Sequence, residues 1–141
     1  MTLFNVAIGQ ERASQEYQIK AAFLFNFAQF TDWPASAFAD SGSPLVIGIL
    51  GDDPFGPFLD ELVEGEEAGG REIAVKRLST EDEVEAVHLL FISKSNGSPD
   101  PKVFALANQE GILTISDAEG FTSKGGMVKF FTDNNKVRFE L

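Results

Sequence analysis

The sequence predicts an α/β domain, a three-layer Rossmann-like or flavodoxin-like fold. Its sheet is mostly parallel and carries an antiparallel C-terminal hairpin at one edge. Three observations carry this reading. The runs Leu45-Val46-Ile47-Gly48-Ile49-Leu50 and His88-Leu89-Leu90-Phe91-Ile92-Ser93 are continuously apolar between turn residues, as expected of strands buried on both faces. Helical segments lie between the strands, giving the order α-β-α-β-α-β-α-β-β-β, which calls for right-handed crossovers. At the end of the chain, Met127 to Thr132 and Lys136 to Leu141 are strands joined at Asp133-Asn134-Asn135, a compact hairpin turn.

The first helix is the most unusual element. Ile19, Ala22, Phe23, Asn26, Phe27 and Phe30 fall at helical spacing, Tyr17, Leu24 and Ala28 form a second row, and Phe25 points elsewhere. A helix apolar on most of its circumference must be covered on most of it. Ser14 is placed to cap its start, and Pro34 disfavours helical geometry at Trp33. Phe23, Phe27 and Phe30 are expected on the sheet, and Phe25 and Trp33 at a contact with a second copy or a partner. Residues 1–14 are expected to be a flexible N-terminal segment and 15–141 a single domain.

The remaining elements follow in order. Asp53 can cap a helix with Pro54 at its first position, running to Val63. Glu64 to Gly70 reads as an acidic, Gly-rich loop. Ile73, Val75 and Arg77 alternate with Glu72, Ala74 and Lys76, so this strand is wetter on one face. Ser79-Thr80-Glu81-Asp82-Glu83 is a capped, acidic first turn. Pro101 to Gln109 is a helix ended by Gly111, and Ile112 to Ser116 is the third central strand. Gly125-Gly126 reads as backbone geometry, a turn or close approach that side chains would block.

Composition narrows the function. The 141 residues suffice for one core without metals or disulfides. Fourteen Phe against one Tyr and one Trp point to rings in the core or under a partner. A net charge of −11 opposes nucleic acid, which is bound through Lys and Arg, and opposes anionic membrane surfaces. Solvated acidic loops account for the charge more simply than an acidic docking surface. With no cysteine, disulfides, thiolate catalysis and thiolate metal sites are excluded. No run approaches a transmembrane span, so direct membrane insertion is not expected. Met1 to Ala13 lacks a basic n-region, leaving either a cytoplasmic chain or one whose signal peptide has been removed.

Ligands of such sheets bind beyond the carboxyl ends of the strands, near the switch in strand order. The residues there are Gly51, Asp52 and Asp53, then Ser93, Lys94 and Ser95, then Ser116 and Asp117. A phospho-receiver needs an aspartate after its third strand, where this chain has Ser93. Dinucleotide binding needs G-x-G-x-x-G, which Gly48-Ile49-Leu50-Gly51-Asp52-Asp53 lacks. A mononucleotide or small polar ligand is compatible, with Gly51, Asp52, Asp53, Ser93, Lys94 and Ser95 as its site. The simpler alternative makes Asp53 a helix cap and Asp52 a solvated turn residue. The one histidine, His88, begins a strand instead of ending one, which suits a structural residue and not a Ser-His-Asp triad. No catalytic residue, metal site or cofactor is expected.

Larger blocks of the chain carry a further pattern. The most specific block is Tyr17-x-x-Lys20-Ala21-Ala22-Phe23-Leu24-Phe25-Asn26-Phe27-Ala28-x-Phe30-x-x-Trp33-Pro34. Gly48 to Gly56, Gly70-Arg71-Glu72-Ile73, Leu89 to Ser93, Ile112 to Asp117, Phe121-x-x-x-Gly125-Gly126-Met127-Val128 and Val137-Arg138-Phe139-Glu140 complete it. Together these blocks resemble the YfiR-like family (YfiR/HmsC-type) of bacterial periplasmic regulators. The resemblance implies a non-enzymatic periplasmic protein whose signal peptide is removed. It implies a homodimer that holds the periplasmic sensory part of a membrane-bound diguanylate cyclase inactive, restraining cyclic di-GMP synthesis and biofilm formation. Small-ligand binding is also implied for the fold. Two departures stand out. The cysteines of the family are missing, so gating by disulfide redox cannot operate, and the family pattern continues past the position of Leu141 into a closing helix.

Overall fold

A computed structural model describes the backbone of residues 2–94 and 99–141, with side chains from Ser14 onward. Helix α1 spans Thr2–Phe30. Strand β1 (Leu45–Leu50) leads to α2 (Pro57–Val63), and the two-residue β2 (Glu67–Ala68) to β3 (Arg71–Leu78). A 3-10 turn over Glu81–Ala86 precedes β4 (Leu89–Ile92), followed by α3 (Pro101–Glu110) and β5 (Leu113–Ser116). A second 3-10 turn, Thr122–Lys124, leads into the hairpin of β6 (Val128–Asp133) and β7 (Lys136–Glu140).

These strands form one seven-stranded sheet in the order β2-β3-β1-β4-β5-β6-β7. Every pair from β3 to β6 is parallel, while β2 and β7 are antiparallel strands at the two edges. The parallel block starts in the middle at β1, moves out to β3, then crosses to β4 and continues outward. That is the flavodoxin-like order, with its switch point between β1 and β4. The continuously apolar runs occupy the two central strands, and all of Leu89, Leu90, Phe91 and Ile92 are buried.

Alternate side chains feed two cores. On one face Leu45, Ile47, Ile49, Leu89, Phe91 and Ile115 meet α1 and α2, and on the other Leu50, Leu78, Leu90 and Ile92 meet Val103 and Ala107 of α3. Glycine is required where the two backbones or rings come closest. A Cβ on Gly126 would lie 2.2 Å from the buried Phe121 ring, and Gly125 has φ 116, so the Gly125-Gly126 pair is there for backbone geometry.

Several local expectations change. Ser14 lies inside α1 instead of capping it. Asp53 does accept from the Phe55 N–H, at 2.8 Å, but this closes a turn, and the helix begins later with Pro57 in its first turn. The acidic stretch 64–70 contains β2, paired with β3 through Glu67–Glu72 and Ala68–Arg71. Two residues are too few to show a period-2 pattern. The capped turn after Ser79 is a full capping box, Thr80 with Glu83, on a 3-10 segment.

Phe30 is the largest departure. Instead of packing on the sheet it is 82 % exposed. Phe23 and Phe27 are covered by Phe130 and Phe139 of the hairpin, but the end of the helix reaches β2, where Gln29 Nε2 donates to the Glu67 carbonyl at 3.1 Å. One turn past Phe27, Phe30 has left the hairpin behind. Phe25 and Trp33 are both half-buried and pack against the α1-side core.

Candidate functional site

The carboxyl ends of the central strands hold two distinct arrangements. At the end of β1, Gly51 turns the chain with φ 92, and Asp52 lies exposed beside it. Asp53 is engaged: its Oδ2 accepts from Arg77 Nε at 3.0 Å and Nη2 at 2.8 Å. Arg77 also holds Asp60 in a bidentate pair, both contacts 2.7 Å, and donates to the Gly56 carbonyl. Hydrogen bonding from Arg77 holds the Asp60 carboxyl below its ordinary range, and the same pairing raises Arg77. Asp53 of the turn and Asp60 of α2 thus close the β1–α2 connection onto β3.

The second arrangement lies one strand over. A cleft of about 430 Å³ opens between the ends of β4 and β5, lined by Lys94, Phe104, Asp117, Phe121 and Lys124 among others. Of the predicted ligand residues that the structure describes, only Lys94 lines it. Ser93 is buried beneath, its N–H donating to the Leu50 carbonyl at 2.8 Å, and Ser95 lies outside the described residues. Ser116 is no nucleophile in this geometry: its hydroxyl donates to the Ile92 carbonyl and accepts from the Ala118 N–H. It ties the end of β5 to the end of β4.

At the base of this cleft the first helix meets the sheet through charge. Asp117 Oδ2 accepts from the Tyr17 hydroxyl at 2.6 Å and from Lys20 Nζ at 3.0 Å, and Lys20 also pairs with Glu16 at 2.7 Å. The Lys20 and Asp117 side chains are only 3 % and 5 % exposed. A buried charge is tolerated only when paired and hydrogen-bonded. Yet Asp117 Oδ1 is buried without a hydrogen-bond partner. Burial, then the bond to Asp117, pushes the Tyr17 phenol well above its ordinary pKa, so Tyr17 stays a neutral donor. Tyr17, Lys20 and Asp117 all stand in the motif blocks of the sequence, where spacing alone places the first two in a helix and the third at a strand end. A lysine on the buried face of a strongly apolar helix is the signal that could have linked them.

His88 is structural. Its Nδ1 accepts from the Val46 N–H at 3.0 Å, which makes Nε2 the donor to the Ala37 carbonyl at 2.9 Å. Phe38 stacks on the ring at 4.4 Å. Burial and then the nearby Arg71 charge hold its pKa below the ordinary histidine value, against the opposing bond to Ala37. Trp33 meets His88 edge-on, and its Nε1 donates to the Ala28 carbonyl at 2.9 Å, closing the end of α1.

Among the described residues no group of His, Asp and Glu could hold a metal ion. None of their helices is long and apolar enough to cross a membrane. Fold and site together define a flavodoxin-like α/β domain whose first helix is locked to the mouth of the sheet by a buried ion pair. The chain belongs to the YfiR/HmsC-like family (DUF4154), whose model matches residues 17–141. The match begins at Tyr17, the first side chain of the buried network. Comparison with curated proteins gave no match.

Proposed function

We propose that this protein is a non-enzymatic regulator acting in the periplasm. As a homodimer it binds the periplasmic sensory part of a membrane-bound diguanylate cyclase and holds the enzyme inactive, which limits cyclic di-GMP. The observation that carries this reading is membership of the YfiR/HmsC-like family over the whole of residues 17–141. The outer face of α1 supplies a surface suited to it. Phe30 stands in solvent, Ile19 is also exposed, and Phe25 and Trp33 keep part of their rings uncovered. Phe25 and Trp33 form the edge of the partner contact and Phe30 its centre, because a large exposed apolar ring is worth most when a partner desolvates it.

The test is inhibition of the cyclase by the purified protein and its Phe30→Glu variant. Phe30 has almost no intramolecular burial, so this substitution leaves stability within about 0.5 kcal/mol. Loss of inhibition by the folded variant supports the reading, and unchanged inhibition removes α1 from the interface.

A second reading, a site for a mononucleotide or other small polar ligand, has one specific observation behind it. The orphaned Asp117 Oδ1 lies at the base of a cleft that also presents Lys94. A ligand there would act next to the Tyr17–Lys20–Asp117 network and so on the helix that meets the partner. Thermal shift with mononucleotides and small polar metabolites checks it: a rise in melting temperature that Lys94→Ala abolishes is expected, and no shift with any of them contradicts it.

A further inference from the structure

Strand β7 forms the far edge of the sheet and, among the described residues, pairs with β6 alone. It contains no proline, and its register with β6 runs without a bulge from Asp133–Lys136 to Lys129–Glu140. Such an edge is a template for another strand. The hairpin turn fixes which backbone groups it offers. Asn134 and Asn135 both have positive φ, 50 and 63, the signature of a two-residue type I′ turn. That turn is closed by a hydrogen-bonded pair, Asp133 with Lys136, and bonded pairs alternate from there. Arg138 and Glu140 therefore bond inward to β6, while the N–H and C=O groups of Val137 and Phe139 point outward from the sheet.

The side chains of β7 are self-complementary in one antiparallel register. Val137 and Phe139 share the face of the sheet that carries α1, and Lys136, Arg138 and Glu140 share the other. With Phe139 opposite its two-fold mate, Val137 faces Leu141 and Arg138 faces Glu140, twice across the axis. The neighbouring register, centred on Arg138, sets two guanidinium groups against each other and is disfavoured. In the favoured register the outward-pointing backbone groups of Phe139 meet one another. The apolar partners are already exposed, Phe139 by 41 % and Leu141 by 87 %. Phe139 also packs edge-on against Phe27 at 5.1 Å, so the edge is continuous with α1.

We infer that a second copy of this chain docks on the β7 edge, antiparallel and two-fold, with Phe139 opposite Phe139 and Arg138 paired to Glu140 of the other copy. The two sheets then run on as one, with both α1 helices on the same side. This rests on the homodimer proposed above and names its interface.

Sedimentation velocity over a concentration series tests it. The wild-type chain is expected to dimerise reversibly. Arg138→Glu or Glu140→Arg alone should weaken the dimer about tenfold or more, because each turns two attractive cross-strand pairs into repulsive ones. The double exchange, Arg138→Glu with Glu140→Arg, should restore it. Lys136→Glu should leave it unchanged, since Lys136 faces Glu140 only in the rejected register. A dimer unmoved by both single charge reversals overturns the β7 edge and leaves the homodimer standing. A wild-type chain that stays monomeric at every concentration overturns both. Dissociation by Lys136→Glu but not by Arg138→Glu overturns the register.

Discussion

Lys20 and Asp117 show how one polar pair can decide where an apolar helix sits. Tyr17, Ala21, Leu24 and Ala28 would pack on an apolar sheet face in several registers, because dispersion and area burial are not directional. An ammonium that, besides Glu16 on its own helix, reaches a buried carboxylate at the end of β5 selects one of them. Breaking a buried pair from one side leaves the other charge uncompensated and costs about 3–5 kcal/mol. Lys20→Met is therefore expected to lower stability by roughly 3 kcal/mol in urea unfolding. The pair replacement Lys20→Met with Asp117→Leu should lose less than Lys20→Met alone. Equal losses would show that the pair is not coupled.

His88 makes a second residue-scale prediction. Its folded pKa lies below the ordinary histidine value, so the unfolded chain binds the proton more readily. The contribution of His88 is then complete above about pH 6.5 and is lost as the pH falls through that value toward the folded pKa. Protonation would also put a hydrogen on Nδ1, facing the Val46 N–H. Melting temperatures of the wild type should drop between pH 7.5 and 5 more steeply than those of His88→Gln. Parallel curves would assign the acid sensitivity to other groups. The structural role of His88 was legible from its place at the start of a strand, but its partners Ala37 and Phe38 were not. They belong to a turn-rich connection with no periodic signal.

At the scale of elements, the central strands were the most legible. Leu45–Leu50 and Leu89–Ile92 are apolar because both faces of the sheet are covered, and continuous runs say so directly. The hairpin was legible for another reason: consecutive asparagines tolerate the two positive φ values its turn requires. Helix α1 was legible as a helix, though not in its contacts. Its period separates buried from exposed rows, but coverage of each turn depends on which other elements reach it. The hairpin rings cover Phe23 and Phe27, and Phe30 is left bare. The β2 strand and the start of α2 at Pro57 instead of Pro54 were invisible for lack of length and for competing turn signals. For the candidate site, Lys94 follows from its place just past a strand end, and it lines a cleft there. The buried Tyr17–Lys20–Asp117 network was missed because it joins residues nearly a hundred positions apart.

For the whole molecule, charge and surface point the same way. A chain with net charge −11 has little to offer phosphates, while the apolar groups left in solvent gather along α1 and the β7 edge, where Ile19, Phe30, Phe139 and Leu141 are exposed. None of the 141 residues is cysteine, so no disulfide forms within this chain. Helix α1 links the cleft to the surface: its inner face reaches the cleft through Asp117, and its outer face carries Phe30. The most direct test of this account is the rate of cyclic di-GMP formation by the membrane-bound cyclase, measured with and without the purified protein. The account predicts that the rate falls as wild-type protein is added and recovers with Phe30→Glu. A rate that stays constant up to saturating protein, with no binding to the periplasmic part of the cyclase, would contradict it.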